Sequence, residues 1–330
     1  MRTWVMIIAA SVSLALQSAQ GAVGYSITHW YNRIGHGLRI QTNHYTIYTT
    51  IADPDLLDKA ARLMEAAHQA YNQLLPYPVE PRTRSVIYLF SNRQQWEAFI
   101  LDFAGTQAQT LLKITNGAVC HNGTCIAYDI GKDQTLSALA HEGWHQFTSR
   151  HFALRLPSWL DEGMAMTFEA FRQTQDGFVF CPSANSYRLQ AVGRFLSNGF
   201  GMDLSELLAS SPGEVLATDQ SEQVQALYAR WFCLVMFLQD RYQHGLQRSL
   251  HDAFLGRWQL TGPLAIVAAD RNIPRTTAWN RIVGPWLFGY YIADDTKTVQ
   301  QELSRYCLQL ASGKPHLGPG LAICKEATTP

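Results

Sequence analysis

Two histidines four residues apart, in His141-Glu142-Gly143-Trp144-His145, are the residues of this chain best suited to do chemistry. On a helix that spacing sends both imidazoles from one face, where they can grip a single Zn²⁺, with Glu142 beside them as candidate general base. A catalytic zinc takes three protein ligands and keeps a fourth position for water, so one more ligand must come from elsewhere. Two residues compete for that role. His151 follows His145 by six, the spacing of sites in which an intervening glycine turns the chain back to the metal. Here the glycine position holds Thr148, whose β-branch resists a positive φ. Glu162, in Leu156-Pro157-Ser158-Trp159-Leu160-Asp161-Glu162-Gly163, has better company. Pro157 ends what precedes it, Ser158 is the expected cap of a new helix, and Gly163 permits close packing against the metal helix. The expected site is therefore Zn²⁺ on His141, His145 and Glu162, open to water, with Asp161 and Glu169 as candidate acceptors for the histidine N–H groups.

These residues need a scaffold, and the chain before them supplies strands and helices in alternation. His44 to Ile51 is rich in β-branched and aromatic residues and reads as a strand, as does Arg84 to Phe90. Between them Asp53-Pro54 opens a helix with apolar residues at Leu57, Ala60, Ala61, Met64, Ala67 and Tyr71. Ser91-Asn92 caps another helix, with Trp96, Phe99, Ile100 and Phe103 on one face. Residues 116–120 and 125–129 read as a hairpin turning at Asn122-Gly123, and Thr135 or Ser137 leads into the metal helix. After Glu162 the pattern predicts a helix continuing through Met164, Ala165, Phe168 and Phe171, then an almost wholly helical remainder whose longest element runs from Glu222 to Tyr242. The order is that of an α+β fold with a small mixed sheet and an active-site helix, followed by a mainly helical subdomain. The expected division is 22–170 and 171–330, with the metal between the two.

With 330 residues and 47% hydrophobic content the chain can bury a large core. Its 26 basic residues balance 26 acidic ones without a long run of either sign, which excludes a nucleic-acid footprint and a polybasic membrane patch. Arg2, an apolar run from Trp4 to Leu16 and Ala19-Gln20-Gly21-Ala22 read as a signal peptide over 1–21, placing the mature chain outside the cell or in a periplasm. That run is shorter than the roughly 20 residues of a bilayer span, so no integral membrane segment is expected after cleavage. Six cysteines in an exported chain make disulfides an expectation. Cys120 with Cys125 and Cys307 with Cys324 are the local pairs, leaving Cys181 and a helical Cys233.

His-Glu-x-x-His followed by Trp-Leu-x-Glu-Gly resembles the gluzincin zinc peptidases, and among them the peptidase MA-like proteins of the DUF1570 kind. The likeness to the latter extends to the preceding element order, the hairpin, the Leu156 to Gly163 run and Tyr228-Ala229-Arg230-Trp231-Phe232-Cys233-Leu234-Val235. It implies a zincin-like fold, zinc on His141, His145 and Glu162, Glu142 as base, Tyr228 as donor to the oxyanion, and a peptide or protein substrate laid along the hairpin strand. Asn116-Gly117-Ala118-Val119 stands where the aminopeptidases of this branch carry Gly-Ala-Met-Glu-Asn, so endopeptidase action is expected over exopeptidase action. The residues leave two other readings open: a metzincin-type site on His151, and a non-catalytic binding protein that retains the metal core.

Overall fold

In the computed structural model the described residues are 24–175, 177–197, 203–213, 221–270 and 276–312. The leader read over 1–21 and Cys324 lie outside them. A six-stranded mixed sheet organises the first half, built from β1 (Ser26–Asn32), β2 (Gly35–Gln41), β3 (Tyr45–Thr49), β4 (Ser85–Phe90), β5 (Ala118–His121) and β6 (Thr124–Tyr128). Its spatial order is β1-β2-β3-β4-β6-β5. The centre is parallel, because α1 (Pro54–Asn72) returns the chain from β3 to β4, and α2 (Arg93–Phe103) with the short α3 (Ala108–Leu111) lies between β4 and the β5–β6 hairpin. Both edges are antiparallel hairpins, and β5 is left as one outer strand.

Period-two alternation divides the sheet's side chains between two cores. Ile87, Leu89, Cys125 and Ala127 face the helices α1 and α4 (Lys132–His151), whereas Phe90, Ile126 and Tyr128 face Trp96 and Ile100 of α2. The helical elements after the sheet are α5 (Ser158–Met166), α6 (Ser186–Ser197), α7 (Leu204–Ala209), α8 (Ser221–Arg241), α9 (Gln243–Leu255), α10 (Pro263–Ala269), α11 (Thr277–Tyr291) and α12 (Thr296–Ala311). Their apolar faces join the first core: one cluster of buried residues runs from Ile40 through Trp144, Trp159 and Trp231 to Phe288 and Leu310.

Strands β3 and β4, the hairpin, the Asp53 and Asn92 caps and the long helix α8 agree with the sequence reading, and Asn122 and Gly123 take the positive φ angles of a two-residue turn. Several expectations are corrected. The metal helix begins at Lys132, capped by Gly131; Thr135 lies one turn inside, where its hydroxyl accepts the Ile130 N–H. Helix α5 stops at Met166, where the Thr167 hydroxyl bonds back to the Met164 carbonyl, and Phe171 instead starts a hairpin of β7 (Phe171–Thr174) and β8 (Gly177–Phe180). The β1–β2 hairpin is not marked in the sequence, because of its strand residues only Ile40 is buried and no alternating apolar pattern results. Cys120 and Cys125 sit opposite each other across their hairpin, with Cys125 a free thiol, so the expected bridge is not formed. Cys307 is likewise a free thiol, in contact with Cys233 in the core, while Cys181 is disulfide-bonded.

Candidate metal centre

Helix α4 lies against the sheet in a fixed rotation. Gly143 allows it to approach α1 closely, since a Cβ there would stand 2.7 Å from both the Tyr71 hydroxyl and Met64 Cε. The Tyr71 hydroxyl donates to the Ala140 carbonyl, and Gln146 Nε2 donates to the carbonyls of Val86 at 2.7 Å and Gly123 at 2.9 Å. These ties turn the opposite face of α4, with His141 and His145, toward α5.

Helix α5 brings Glu162 to meet them. Pro157, not Ser158, is its cap residue, and the first free N–H, that of Ser158, is received by Asn280 Oδ1 of α11 at 2.9 Å. Asn280 is fully buried, and its Nδ2 donates in turn to the Ser158 hydroxyl. On the other side Gly163 lets α8 approach, because a Cβ would stand 2.3 Å from Val235 Cγ2 and 2.9 Å from the Trp231 carbonyl oxygen.

Three donor atoms converge as a result. His141 Nε2 and His145 Nε2 are 3.2 Å apart, and Glu162 Oε2 is 3.4 Å from each. Tetrahedral ligands on bonds of ~2.0–2.1 Å are spaced about 3.3 Å from one another, so the three atoms already have the separations a bound Zn²⁺ requires. They form the group of candidate metal ligands found among the described residues. The outer nitrogens face carboxylates: His141 Nδ1 is hydrogen-bonded to Glu169 Oε1 at 2.9 Å, and His145 Nδ1 makes an ionic contact with Asp161 Oδ1 at 3.3 Å. At His141, donation of Nδ1–H to the Glu169 carboxylate fixes the tautomer that leaves the Nε2 lone pair aimed at the centre.

The electrostatics favour positive charge at this point. Burial opposes an imidazolium at His141, yet hydrogen bonds to Glu162 and Glu169 outweigh it and raise the pKa to about 9. At His145 burial is likewise overcome by the charges of Asp161 and Glu162. Burial would raise Glu162, but the two histidines hold it well below the carboxylate range. Glu142 behaves in the opposite way: burial keeps its carboxyl above the usual range, against the pull of His141 and His145 and of a hydrogen bond from the Cys120 backbone N–H. A carboxyl raised by burial beside a cation-binding cluster is suited to take up and hand on a proton.

His141, Glu142, His145 and Glu162 open onto a cavity of about 1370 Å³. Its walls include Val119 and Cys120 of the outer strand β5, Phe171 and Phe178 of the β7–β8 hairpin, and Tyr187 and Tyr228 of α6 and α8. Tyr228, half-buried, thus lines the cavity onto which His141, Glu142, His145 and Glu162 open. His151 does not join them: it ends α4 with its ring 4.8 Å from that of Phe147, and burial followed by the Arg150 charge lowers its pKa to about 4. Sequence reasoning missed Asn280, Asn185 and Arg188, which act from 122, 16 and 19 residues away on Ser158 and Glu169. No short-range pattern marks them. Compared with known proteins, the chain matches no family model and no curated protein.

Proposed function

We propose that the chain is an exported zinc metallopeptidase of the gluzincin type, with a zincin-like core, that cleaves within peptide chains. The observation that carries this reading is the convergence of His141 Nε2, His145 Nε2 and Glu162 Oε2 at 3.2–3.4 Å, with Glu142 adjacent on the same helix. Zinc held there supplies Lewis acidity toward a carbonyl and acidifies water. Glu142 takes the proton of the attacking water and delivers it to the leaving amine. Tyr228, on the cavity wall, donates its hydroxyl hydrogen bond to the oxygen that gains charge as the carbonyl is attacked. The outer strand β5 offers its edge to an extended substrate, and a hydrogen bond from the Cys120 N–H on that strand ties Glu142 to it. The cavity of about 1370 Å³ exceeds the ~300–1,000 Å³ typical of a small-molecule site, which supports an extended substrate and endopeptidase action.

The test is a paired measurement on the purified mature chain. Wild type should contain one equivalent of zinc and hydrolyse members of a mixed peptide library, and Glu142→Gln should keep the zinc while losing hydrolysis by about 10²–10⁴-fold. A wild-type chain with full zinc occupancy and no cleaved product would refute the peptidase reading and leave a metal-dependent binding protein.

A further inference from the structure

Glu169 follows the end of α5, outside any helix or strand, yet it must hold His141. A short connection does not orient a carboxylate by itself. Arg188, in the first turn of α6, supplies the missing constraint: Nε reaches Glu169 Oε2 at 2.7 Å and Nη2 reaches Oε1 at 2.5 Å. Asn185 Nδ2 adds a bond to Oε2 at 3.0 Å. With His141 Nδ1 on Oε1, each Glu169 oxygen has two partners, and the plane of the carboxylate is fixed.

The pair is deeply buried, with side-chain exposures of 13% for Arg188 and 8% for Glu169. Buried ion pairs of this kind add little stability over apolar residues of the same volume, so stability alone is a weak reason for one here. The guanidinium has a second contact that bears on function: its carbon lies 5.6 Å from the Tyr228 ring centroid. One side chain therefore touches both the carboxylate behind a metal ligand and the ring of the proposed oxyanion donor.

We infer that Arg188 is a positioning residue for the metal centre, which through Glu169 holds His141 with Nε2 turned to the metal and through the ring face of Tyr228 sets that tyrosine on the cavity wall. This rests on the zinc reading above. The planar two-nitrogen fork is what the geometry uses, so lysine, a point charge, does not replace it.

The experiment measures zinc affinity by competition with a chromophoric chelator, alongside thermal unfolding, for wild type, Arg188→Lys, Glu169→Gln and the double variant Arg188→Met/Glu169→Gln. The double variant leaves no unpaired buried charge and should fold with an unfolding temperature near that of wild type. Arg188→Lys should weaken zinc binding by about 10–100-fold, and the double variant should bind zinc no more weakly than Glu169→Gln alone, because the arginine acts on the metal through that carboxylate. In turnover, Arg188→Lys should lower kcat more than it raises KM. Wild-type zinc affinity in folded Arg188→Lys or in the folded double variant overturns this inference alone. A wild-type chain that binds no zinc overturns the metal reading with it.

Discussion

Gly163 connects packing to chemistry in a way that can be measured. Replacing it by alanine puts a Cβ 2.3 Å from Val235 Cγ2 and 2.9 Å from the Trp231 carbonyl oxygen, where ordinary carbon contacts lie at about 3.5–4.0 Å. Neither neighbour can swing away, since one is backbone and the other a β-branched side chain within a helix. Helices α5 and α8 must therefore separate by about 1 Å. Overpacking of this kind costs about 1–3 kcal/mol, and alanine's better helix propensity returns about 1 kcal/mol. With two rigid neighbours the upper end applies, leaving a net loss of about 2 kcal/mol, or about 3 °C in unfolding temperature for a chain of this size. The effect on the metal should be larger in proportion. Glu162 is the neighbouring residue on α5, and metal–ligand distances tolerate only about ±0.2 Å, so Gly163→Ala should release zinc to a chelator that wild type resists. Adding Val235→Ala removes the nearer of the two clashes and should recover part of the affinity. Wild-type zinc affinity and unfolding temperature in Gly163→Ala would show that α5 does not transmit packing to the ligand.

Other outcomes follow from the same geometry. Glu162→Ala should abolish stoichiometric zinc while His151→Ala retains it, as read by metal analysis; the reverse would assign the third ligand to His151. Tyr228→Phe should lower kcat by about 10²–10³-fold with KM and zinc content unchanged, and an equal loss in KM would place the hydroxyl in substrate binding instead. Acid should destabilise the fold through His68, which is stacked on His44 in a cluster with Glu65, Glu80 and His151. Burial first, then the His44 charge, lowers its pKa from 6.5 to about 4. Above pH 6.5 the ring is neutral folded or unfolded and the fold has its full stability. Between 6.5 and 4 only the unfolded chain takes the proton, so stability falls with pH. The unfolding temperature of wild type should drop across that window, and by less in His68→Gln.

The candidate ligand group was legible because gripping one metal ion imposes spacing on sequence: two histidines must share a helix face, and a carboxylate followed by a small residue marks the helix that faces them. The parallel strands and α1 were legible for a similar reason, since their burial on one or both sides writes a period into the residues. Where the reading erred, local pattern had competition from distant contacts. Phe168 and Phe171 continue helical spacing, but the Thr167 hydroxyl ends α5 and Phe171 pairs with Phe180 across a new hairpin. Ser158 has the residue type of a cap, yet the group that satisfies α5 comes from Asn280. The cysteines were paired by proximity in sequence, whereas Cys307 meets Cys233 because α12 packs on α8. Arg188 was invisible because no sequence pattern links it to Glu169, which it meets only in three dimensions.

The hydrogen bonds between Ser158 and Asn280 also carry information about time. During synthesis the two histidines and Glu162 emerge more than a hundred residues before Asn280 does. Until that late asparagine arrives, the first turn of α5 lacks its partner and Glu162 has no fixed address beside the histidines. A chain that ends before Asn280 keeps the His141, His145 and Glu162 motif but lacks the partner that seats the first turn of α5.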